Sequence, residues 1–521
     1  MPALIMFLNG LAIMVFEMVG ARLLAPWLGT SVVVWTSLIG VILAGLSLGY
    51  WLGGRFADST LKAVPDKKKN REEADAALRR AWALLSRILL AAAAFVVCAA
   101  LLQDSLLPYL SKAIASLHMA TLAAALLLFA VPSVLCGMVS PYVLRIAIQD
   151  NPRAGGTIGS LTALSTIGSI VGTFLGGFVL ISFFGSREIT LGVAVCLLAA
   201  ACCAKARPLA SKFMVVGLIV ACALLSRIST MAQAEAGIHI RESAYNTMRV
   251  SEGNLDGRPT RFLLTDPGSS QSGMYLDEPT DLAFSYTRWY ALATRMHPSA
   301  KRVLMLGGGG FSIPKWILAG KSGLDPAGVL IDTVELDPGI TGVARDFFQL
   351  PVESRHLRIH HEDARIFLNR QAAEVKGDDG PYDLIFGDVF NSYYTVPFHM
   401  GTVEAAQRIH ALLAKDGIFM MNVIAAVEGD NGRLLRGIHA AFAEVFDEVY
   451  VFPVQMPGRP DIVQNVMLLA FRTPRPLPTD DVKHPELARF WPNRYTRPLE
   501  TDVPALRDNF APVERYTLGY H

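Results

Sequence analysis

Seven long apolar stretches in the first 230 residues constrain the fold of this chain more than any other feature. Most approach or exceed the ~20 residues that a helix needs to cross a bilayer. They cover residues 3–24, 32–53, 84–102, 119–143, 158–184, 189–204 and 213–228. The first stretch has no basic start and contains Glu17 and Arg22, so it is not a cleavable signal peptide. We therefore predict a transmembrane helical domain over residues 1–230, with the lipid bilayer as its partner.

Composition separates this half from the rest of the chain. Apolar residues make up 52% of the 521 residues and charged residues 18%, and nearly all of the apolar excess lies before residue 230. The net charge of +2 gives no reason to expect nucleic-acid binding. The six cysteines all lie in the apolar half, and none has metal-ligand spacing with a histidine nearby. We expect neither a metal site nor a disulfide framework.

Two of the apolar stretches contain glycine at every fourth position. The repeats are Gly45, Gly49 and Gly53 in one stretch, and Gly168, Gly172 and Gly176 in the other. This spacing places bare backbone on one face of a helix, where a second helix can approach closely. We interpret both repeats as helix-packing surfaces. A substrate path is the alternative.

The stretch from Arg302 to Gly310 organises the second half of the chain. Residues 303–306 predict a short buried strand, which is followed by Gly307, Gly308, Gly309 and Gly310 and then by a helix over 311–319. A second strand over 329–336 ends beside Glu335 and Asp337. A glycine turn with an acid after the next strand is typical of a site for a nucleoside-like ligand.

Strands and helices continue to alternate after this unit, which predicts a doubly wound, Rossmann-like sheet over residues 281–521. Three acids, Glu335, Asp363 and Asp388, lie at strand ends, where such sheets bind their ligands. Before the sheet, residues 235–280 predict a small β module, with strands over 238–250 and 260–264. We expect a helix over 282–296 and, after residue 471, a loosely packed tail rich in Pro and charge.

Short motifs occur in a fixed order between residues 241 and 471. They are Glu242-Ser-Ala-Tyr-Asn246, Leu264-Thr-Asp-Pro-Gly-Ser-Ser-Gln271, the glycine turn, Val334-Glu-Leu-Asp-Pro338, Asp346-Phe-Phe348, Asp363-Ala-Arg365 and Tyr382-Asp383 with Asp388. Their order and spacing resemble those of the spermidine synthases, the polyamine aminopropyltransferases. The whole chain resembles the membrane-fused members of that family.

The resemblance implies a class I methyltransferase-type fold and a donor, S-adenosylmethionine or its decarboxylated form. It implies that Glu335 binds the ribose and that Asp363 lies near the adenine. The remaining residues that it implies for donor binding are Gly307, Gly308, Gly309, Gly310, Asp337, Ala364 and Gln271. It implies no metal, and it leaves a homodimer open.

The sequence departs from the family at three acidic positions. Gly310 stands where the glycine turn usually has Asp, and Ser285-Tyr-Thr287 stands where Tyr-His-Glu is usual. The loop Asp388-Val-Phe-Asn-Ser392 replaces Asp-Ser-Ser-Asp-Pro, so that its second acid becomes Asn391. The lost acids help the family to hold a cationic amine and the aminopropyl ammonium. We therefore expect an acceptor that is less charged than putrescine or that reaches the site from the membrane.

The implied reaction is an in-line displacement at a carbon beside a sulfonium, for which a neutral amine must be held in line. We assign Asp388 to take the proton of the amine or to stabilise the cation that forms. Tyr245 is predicted to orient the acceptor, and Tyr393 or Tyr394 to close over it.

Three functions remain open at this point. The first is a membrane-bound aminopropyltransferase that acts on a small-molecule amine in polyamine biosynthesis. The second is a methyltransferase that uses S-adenosylmethionine on another acceptor. The third is a nucleoside-binding regulator, without catalysis, of a transporter-like bundle.

The distribution of basic residues predicts the orientation in the plasma (inner) membrane. Loop 55–83 is rich in Lys and Arg, and further basic residues follow the fourth and sixth stretches, which places these loops in the cytoplasm. Seven full crossings then put the C-terminal half outside, although its donor is cytosolic. Because the last stretch is short and ends near Arg227, we interpret it as interfacial or re-entrant and expect the C-terminal half in the cytoplasm.

Overall fold

A computed structural model describes the chain except for residues 30, 62–70, 115, 149–153, 205–208, 266–269, 376, 378, 390–396, 476–483, 518–519 and 521, and except for the side chains of residues 71, 74 and 209–211. The described residues form two compact units. The helical unit comprises residues 1–236 and 242–244, and the soluble unit comprises residues 237–241 and 245–521.

The helical unit is built from long apolar helices. They are α1 (Pro2–Leu28), α2 (Val32–Leu61), α3 (Arg71–Ala113), α4 (Leu117–Ala125), α5 (Val131–Ala147), α6 (Ala154–Phe174), α7 (Ile181–Phe183), α8 (Ser186–Cys203) and α9 (Leu209–Glu235). Short π-helical segments join α4 to α5 and α6 to α7. In the described part of the chain, seven helical stretches are long and apolar enough to cross a membrane, with mean hydropathy between 1.6 and 2.4. They correspond to the seven predicted stretches.

The last of these helices differs from its prediction. Helix α9 is continuous over 27 residues and passes Arg227 without a break. Apolar residues continue beyond that arginine, at Ile228 and Met231, so the helix is longer than the stretch 213–228. The expectation of a short segment is therefore wrong, whereas its interfacial or re-entrant position stays a prediction.

The glycine repeats lie where helix backbones touch. A Cβ atom at Gly49 in α2 would stand 2.2 Å from the carbonyl oxygen of Val134 in α5. A Cβ atom at Gly168 in α6 would stand 2.1 Å from the carbonyl oxygen of Phe7 in α1. Both contacts are too close for any side chain, so these glycines allow two pairs of helices to pack backbone against backbone.

A small antiparallel sheet opens the soluble unit. Its strands, in spatial order, are β1 (His239–Glu242), β2 (Thr247–Leu255), β3 (Arg258–Leu264) and β4 (Ser272–Tyr275). The prediction of one strand over 238–250 is wrong, because the chain bends between β1 and β2. The side-chain amide of Asn246, at the end of that bend, donates to Asp337 Oδ2 at 3.1 Å.

The larger sheet has seven strands and contains the site. In chain order they are β5 (Arg302–Leu306), β6 (Leu330–Val334), β7 (Leu357–His360), β8 (Tyr382–Gly387), β9 (Leu413–Ala425), β10 (Val449–Pro453) and β11 (Gln464–Phe471). Their spatial order is β7-β6-β5-β8-β9-β11-β10, parallel from β7 to β9, with β11 antiparallel to both of its neighbours. The chain order reverses at β5, which is the switch point at which such sheets bind ligands. The predicted Rossmann-like, methyltransferase-type fold is confirmed.

Helices cover this sheet and shape its edge. They are α10 (Ala291–Met296), α11 (Ser312–Leu318), α12 (Pro338–Phe347), α13 (Ala364–Glu374), α14 (Val403–Leu412), α15 (Arg433–Ala443), α16 (Pro485–Phe490) and α17 (Val513–Thr517). The helix predicted over 282–296 is only partly present: a 3₁₀ turn over 286–290 precedes α10. Residues 282 and 283 stay outside the helix, and their carbonyl oxygens accept from the Arg288 guanidinium.

The tail is better packed than predicted. Leu487, Phe490 and Trp491 are buried, and the Trp491 ring lies 5.4 Å from that of Tyr450 and 5.7 Å from that of Phe452, between centroids. Three buried apolar side chains tie this segment to the sheet. A loosely packed tail is therefore wrong for its described part.

Candidate active site

The glycine turn between β5 and α11 leaves no space for side chains. Gly307 has a φ of +95°, and a Cβ atom there would stand 2.2 Å from the carbonyl oxygen of Asp388. Gly309 has a φ of +50°, which also favours glycine. The buried Phe311 that follows has a φ of 53° although it carries a side chain. The turn is thus held in a tight conformation directly beside the end of β8.

Glu335, after β6, closes over the amides of this turn. Its Oε2 accepts from the amides of Gly308 at 2.9 Å and Gly309 at 3.1 Å, and its Oε1 accepts from the amide of Asp337 at 2.9 Å. The side chain is only 6% exposed. Burial raises the pKa of Glu335, and the three hydrogen bonds from backbone amides oppose that rise. The structure places Glu335 beside the glycine turn, and its contact with a ribose stays a prediction.

Ser272, on β4, takes the next amide of the turn. Its Oγ accepts from the Gly310 amide at 2.8 Å. A Cβ atom at Gly310 would stand 3.0 Å from Cβ of Ser272 and 3.2 Å from the Phe348 ring. An aspartate at position 310 would therefore have to displace both neighbours. This close packing gives a physical reason for glycine where the family has Asp.

The other acids predicted to bind the donor cap helices. Asp337 Oδ1 accepts from the Gly339 amide at 2.8 Å, at the start of α12. Asp363 Oδ1 accepts from the amides of Arg365 at 2.8 Å and Ile366 at 3.1 Å. Ala364 is the first residue of the helix that Asp363 caps. These capping roles account for both carboxylates, and the contact of Asp363 and Ala364 with an adenine stays a prediction.

Asp388, just after β8, is a partly buried carboxylate between two donors. The Tyr286 hydroxyl donates to its Oδ2 at 2.9 Å, and the side-chain amide of Asn422 donates to its Oδ1 at 3.1 Å. Burial raises the pKa of Asp388 to about 6, although both hydrogen bonds lower it. The Tyr290 hydroxyl donates to the neighbouring Gly387 carbonyl at 2.7 Å. Burial, together with the negative charge of Asp388, raises the pKa of both tyrosines well above 10.

An open cavity joins Asp388 to the glycine turn. The described residues that line it include Gln271, Ser272, Tyr286, Thr287, Gly308, Ser312 and Asp388. Asp388 is the only carboxylate among the described lining residues. Tyr245 is 51% exposed and does not line the cavity, so its predicted role stays untested. Tyr393, Tyr394 and Asn391 lie outside the described residues.

The sequence prediction missed three residues of this site: Ser272, Tyr286 and Asn422. Ser272 directly follows the Gln271 that ends the hairpin motif, and Tyr286 stands within the altered Tyr-His-Glu triplet. The sequence did offer a clue to Asn422. It is a polar residue within the apolar part of β9 and is 2% exposed. A buried amide in an apolar strand needs hydrogen-bond partners and thus points to a polar site.

The adjacent histidines at the end of β7, His360 and His361, have separate structural roles. His360 Nε2 lies 2.9 Å from Asp332 Oδ1, whereas His361 Nε2 lies 3.0 Å from Thr341 Oγ1. The two histidines therefore contact different partners. Among the described residues, no group of three His, Cys, Asp or Glu side chains could hold a metal ion.

The fold and the site together define a class of protein. The features that do so are the sheet order, the glycine turn, the acid after the second parallel strand and the partly buried carboxylate after the fourth. This is the Rossmann-like unit of the methyltransferase type, with a carboxylate near the switch point of its sheet.

Comparison with known proteins narrows this class. The chain is 29% identical over 248 residues to the polyamine aminopropyltransferase of Vibrio vulnificus, which covers 47% of this chain and 76% of the relative. It is 27% identical over 234 residues to the polyamine aminopropyltransferase of Neisseria meningitidis serogroup A, and the match covers 43% of this chain and 74% of that relative. No protein-family model matches the sequence. The chain is a spermidine synthase-like transferase with an apolar helical region before its soluble unit.

Solved structures with a similar fold are more distant. The probable spermidine synthase from Corynebacterium glutamicum has a TM-score of 0.40 and 21% identity, covering 49% of this chain and 85% of that one. Human methyltransferase-like protein 13, solved with SAH, has a TM-score of 0.31 and 20% identity, and the match covers 40% of this chain and 88% of that one.

Proposed function

We propose that this chain is a membrane-bound aminopropyltransferase that moves the aminopropyl group of decarboxylated S-adenosylmethionine to an amine, as part of polyamine biosynthesis. The observation that carries the proposal is the partly buried Asp388, which has a pKa of about 6 and lies between Tyr286 and Asn422 beside the glycine turn. Similarity to polyamine aminopropyltransferases supports the reaction class.

Asp388 performs the proton transfer in this proposal. The amine nitrogen attacks the propyl carbon next to the sulfonium, the C–N bond forms, the C–S bond breaks, and its electron pair stays on sulfur. The new secondary ammonium then loses its extra proton to Asp388. A carboxyl with a pKa of about 6 is ionised at neutral pH and still basic enough to take part. Tyr286 holds this carboxylate and is itself a lining residue of the cavity.

The donor is held at the glycine turn in this proposal. Glu335 accepts from two of the turn amides and is assigned to the ribose, while Ser272 and Gln271 form the neighbouring polar wall. Asp388 is the only carboxylate among the described cavity residues, so a small dicationic amine has one counter-charge there. We therefore expect putrescine to be a poor acceptor.

Methyl transfer from S-adenosylmethionine is the second candidate, and one observation favours it. Gly310 packs against Ser272, where the family has an aspartate for the aminopropyl ammonium. A site without that acid loses part of its selectivity for a donor tail that carries only positive charge.

The deciding experiment is product mass spectrometry on the full-length protein. It is supplied with S-adenosylmethionine or its decarboxylated form and a panel of monoamines, diamines and acylated amines. An aminopropylated product from the decarboxylated donor supports the proposal, whereas methylated products select the second candidate. Rapid formation of spermidine from putrescine would contradict the expected acceptor class.

A further inference from the structure

A chain of three side-chain amides runs from Asp388 to the surface of the soluble unit. The amide of Asn422 donates to Asp388 Oδ1, and Asn465 Nδ2 donates to Asn422 Oδ1 at 2.9 Å. Gln455 Nε2 then donates to Asn465 Oδ1 at 2.6 Å. Asn422 lies in β9, Asn465 in the neighbouring β11, and Gln455 in the segment that follows β10.

A backbone amide fixes the direction of these bonds. The Asn465 backbone N–H can only donate, and it donates to Gln455 Oε1 at 3.0 Å. Gln455 must therefore turn its Nε2 toward Asn465 Oδ1, which turns Asn465 Nδ2 toward Asn422. Asn422 in turn presents its NH₂ group, and not its oxygen, to Asp388. The orientation of each amide follows from one donor that cannot be reversed.

We propose that Gln455 and Asn465 are positioning residues, which act through Asn422 to keep Asp388 Oδ1 a fixed hydrogen-bond acceptor and so leave Oδ2, facing Tyr286, as the oxygen that takes the proton of the substrate. This inference rests on the proposed function of Asp388 as the proton acceptor. It assigns distinct roles to the two carboxylate oxygens.

The consequence for the proton follows from the same geometry. A proton on Oδ1 would point at an NH₂ group, which cannot accept it, so the proton belongs on Oδ2. Tyr286 then accepts from Oδ2 and turns its own hydrogen toward the cavity. A proton released by the amine can thus pass to the Tyr286 oxygen while the Tyr286 hydrogen passes to Asp388 Oδ2.

The substitution Gln455→Glu tests the chain at its exposed end. A carboxylate accepts from the Asn465 backbone amide but cannot donate to Asn465 Oδ1. Asn465 and then Asn422 must turn over, and the oxygen of Asn422 comes to face Asp388 Oδ1. Because two acceptors then oppose each other, the ionised form of Asp388 becomes less stable. We expect its titration midpoint to rise by about one pH unit, a tenfold change in proton affinity.

The measurement is pH-difference infrared spectroscopy of the full-length protein, in which Asp388→Asn identifies the carboxyl band of Asp388. Tyr286 and Tyr290 are the titratable groups that face Asp388 among the described residues, and their high pKa keeps them protonated in this range. Met456→Glu is the matched control. It adds the same charge one residue away, at a side chain that is 53% exposed.

The outcomes separate the inference from the function on which it rests. A midpoint that rises in Gln455→Glu and not in Met456→Glu supports the inference. Gln455→Met, which removes both polar atoms, should give a smaller rise and covers the case in which the charged variant unfolds. If the titration midpoint of Asp388 is the same in Gln455→Glu, Gln455→Met and Met456→Glu, the inference is overturned. Full turnover in Asp388→Asn would overturn the proposed function instead.

Discussion

Asp388 is the residue on which turnover should depend most. Asp388→Asn keeps the shape of the side chain and removes its charge, so we expect turnover to fall on the order of 10²–10⁴-fold, the usual range for a lost acid–base group. Donor binding should be largely kept, because Glu335 and Ser272 hold the glycine turn without Asp388. Product mass spectrometry and donor titration measure the two quantities separately.

Tyr286→Phe should move the pH dependence of the same step. Burial raises the pKa of Asp388 to about 6, so kcat/KM should fall as the pH drops below 6, where the carboxylate takes up a proton. The Tyr286 hydrogen bond lowers this pKa, and its loss should move the acidic limb to higher pH. Thr287→Ser, at the next residue, serves as the control. An acidic limb at the same pH in both variants would contradict this role of Tyr286.

Glu335→Ala should weaken donor binding. A hydrogen bond to a charged group contributes roughly 1.5–3 kcal/mol, which corresponds to about 10- to 150-fold in the dissociation constant. Calorimetric titration with S-adenosylmethionine, its decarboxylated form and methylthioadenosine gives the change. Glu353→Ala, at an exposed carboxylate, is the control. Unchanged binding of all three ligands in Glu335→Ala would show that the acid does not hold the donor.

The residues of the site differ in how far the sequence could predict them. Glu335, Asp388 and the four glycines follow from local pattern, because a strand end or a tight turn fixes where each one lies. Tyr286, Asn422 and Asn465 come together only through the fold, from a 3₁₀ turn and two strands that are distant in sequence. Their hydrogen bonds join residues that are far apart in sequence, so no local sequence pattern predicts them.

At the scale of elements, the prediction was reliable where long apolar stretches or glycine turns marked a helix or strand clearly. The seven apolar stretches and the strand–glycine–helix unit appear as predicted. The errors fall where tertiary contacts override local pattern. The Arg288 guanidinium holds the carbonyl groups of residues 282 and 283 outside the helix, and buried aromatic side chains draw the tail onto the sheet.

The packing of α2 against α5 gives a prediction at this scale. Gly49→Ala places a methyl group where only 2.2 Å separates a Cβ atom from the Val134 oxygen, so the two helices must move apart. We expect a loss of about 1–3 kcal/mol in the free energy of unfolding of the helical unit. Gly54→Ala is the matched control on the same helix, since no atom lies within 4 Å of a Cβ atom there. Reversible unfolding in mixed detergent measures both. Equal stability of the two variants would contradict close packing at Gly49.

At the scale of the whole molecule, the side of the membrane is a proposal that cysteine labelling tests. A variant whose six cysteines are replaced by serine supplies the background. Single cysteines then replace Ser59 near the end of α2, Ser111 near the end of α3 and Glu374 at the end of α13. The nearby Gly377 is unsuitable for a cysteine, because its φ of +90° disfavours a side chain.

We expect an impermeant reagent added outside intact cells to label position 111 and to leave position 59 unlabelled, because the basic loop 55–83 favours the cytoplasm. Position 374 should be protected together with position 59, since the proposed donor is cytosolic. A protected position 374 requires that one of the seven helices does not cross completely. Because the basic loop after α8 is expected in the cytoplasm, the incomplete crossing would fall on α9. External labelling of position 59 would reverse the orientation. External labelling of position 374 would place the soluble unit away from its donor and would contradict the proposed function in its cytoplasmic form.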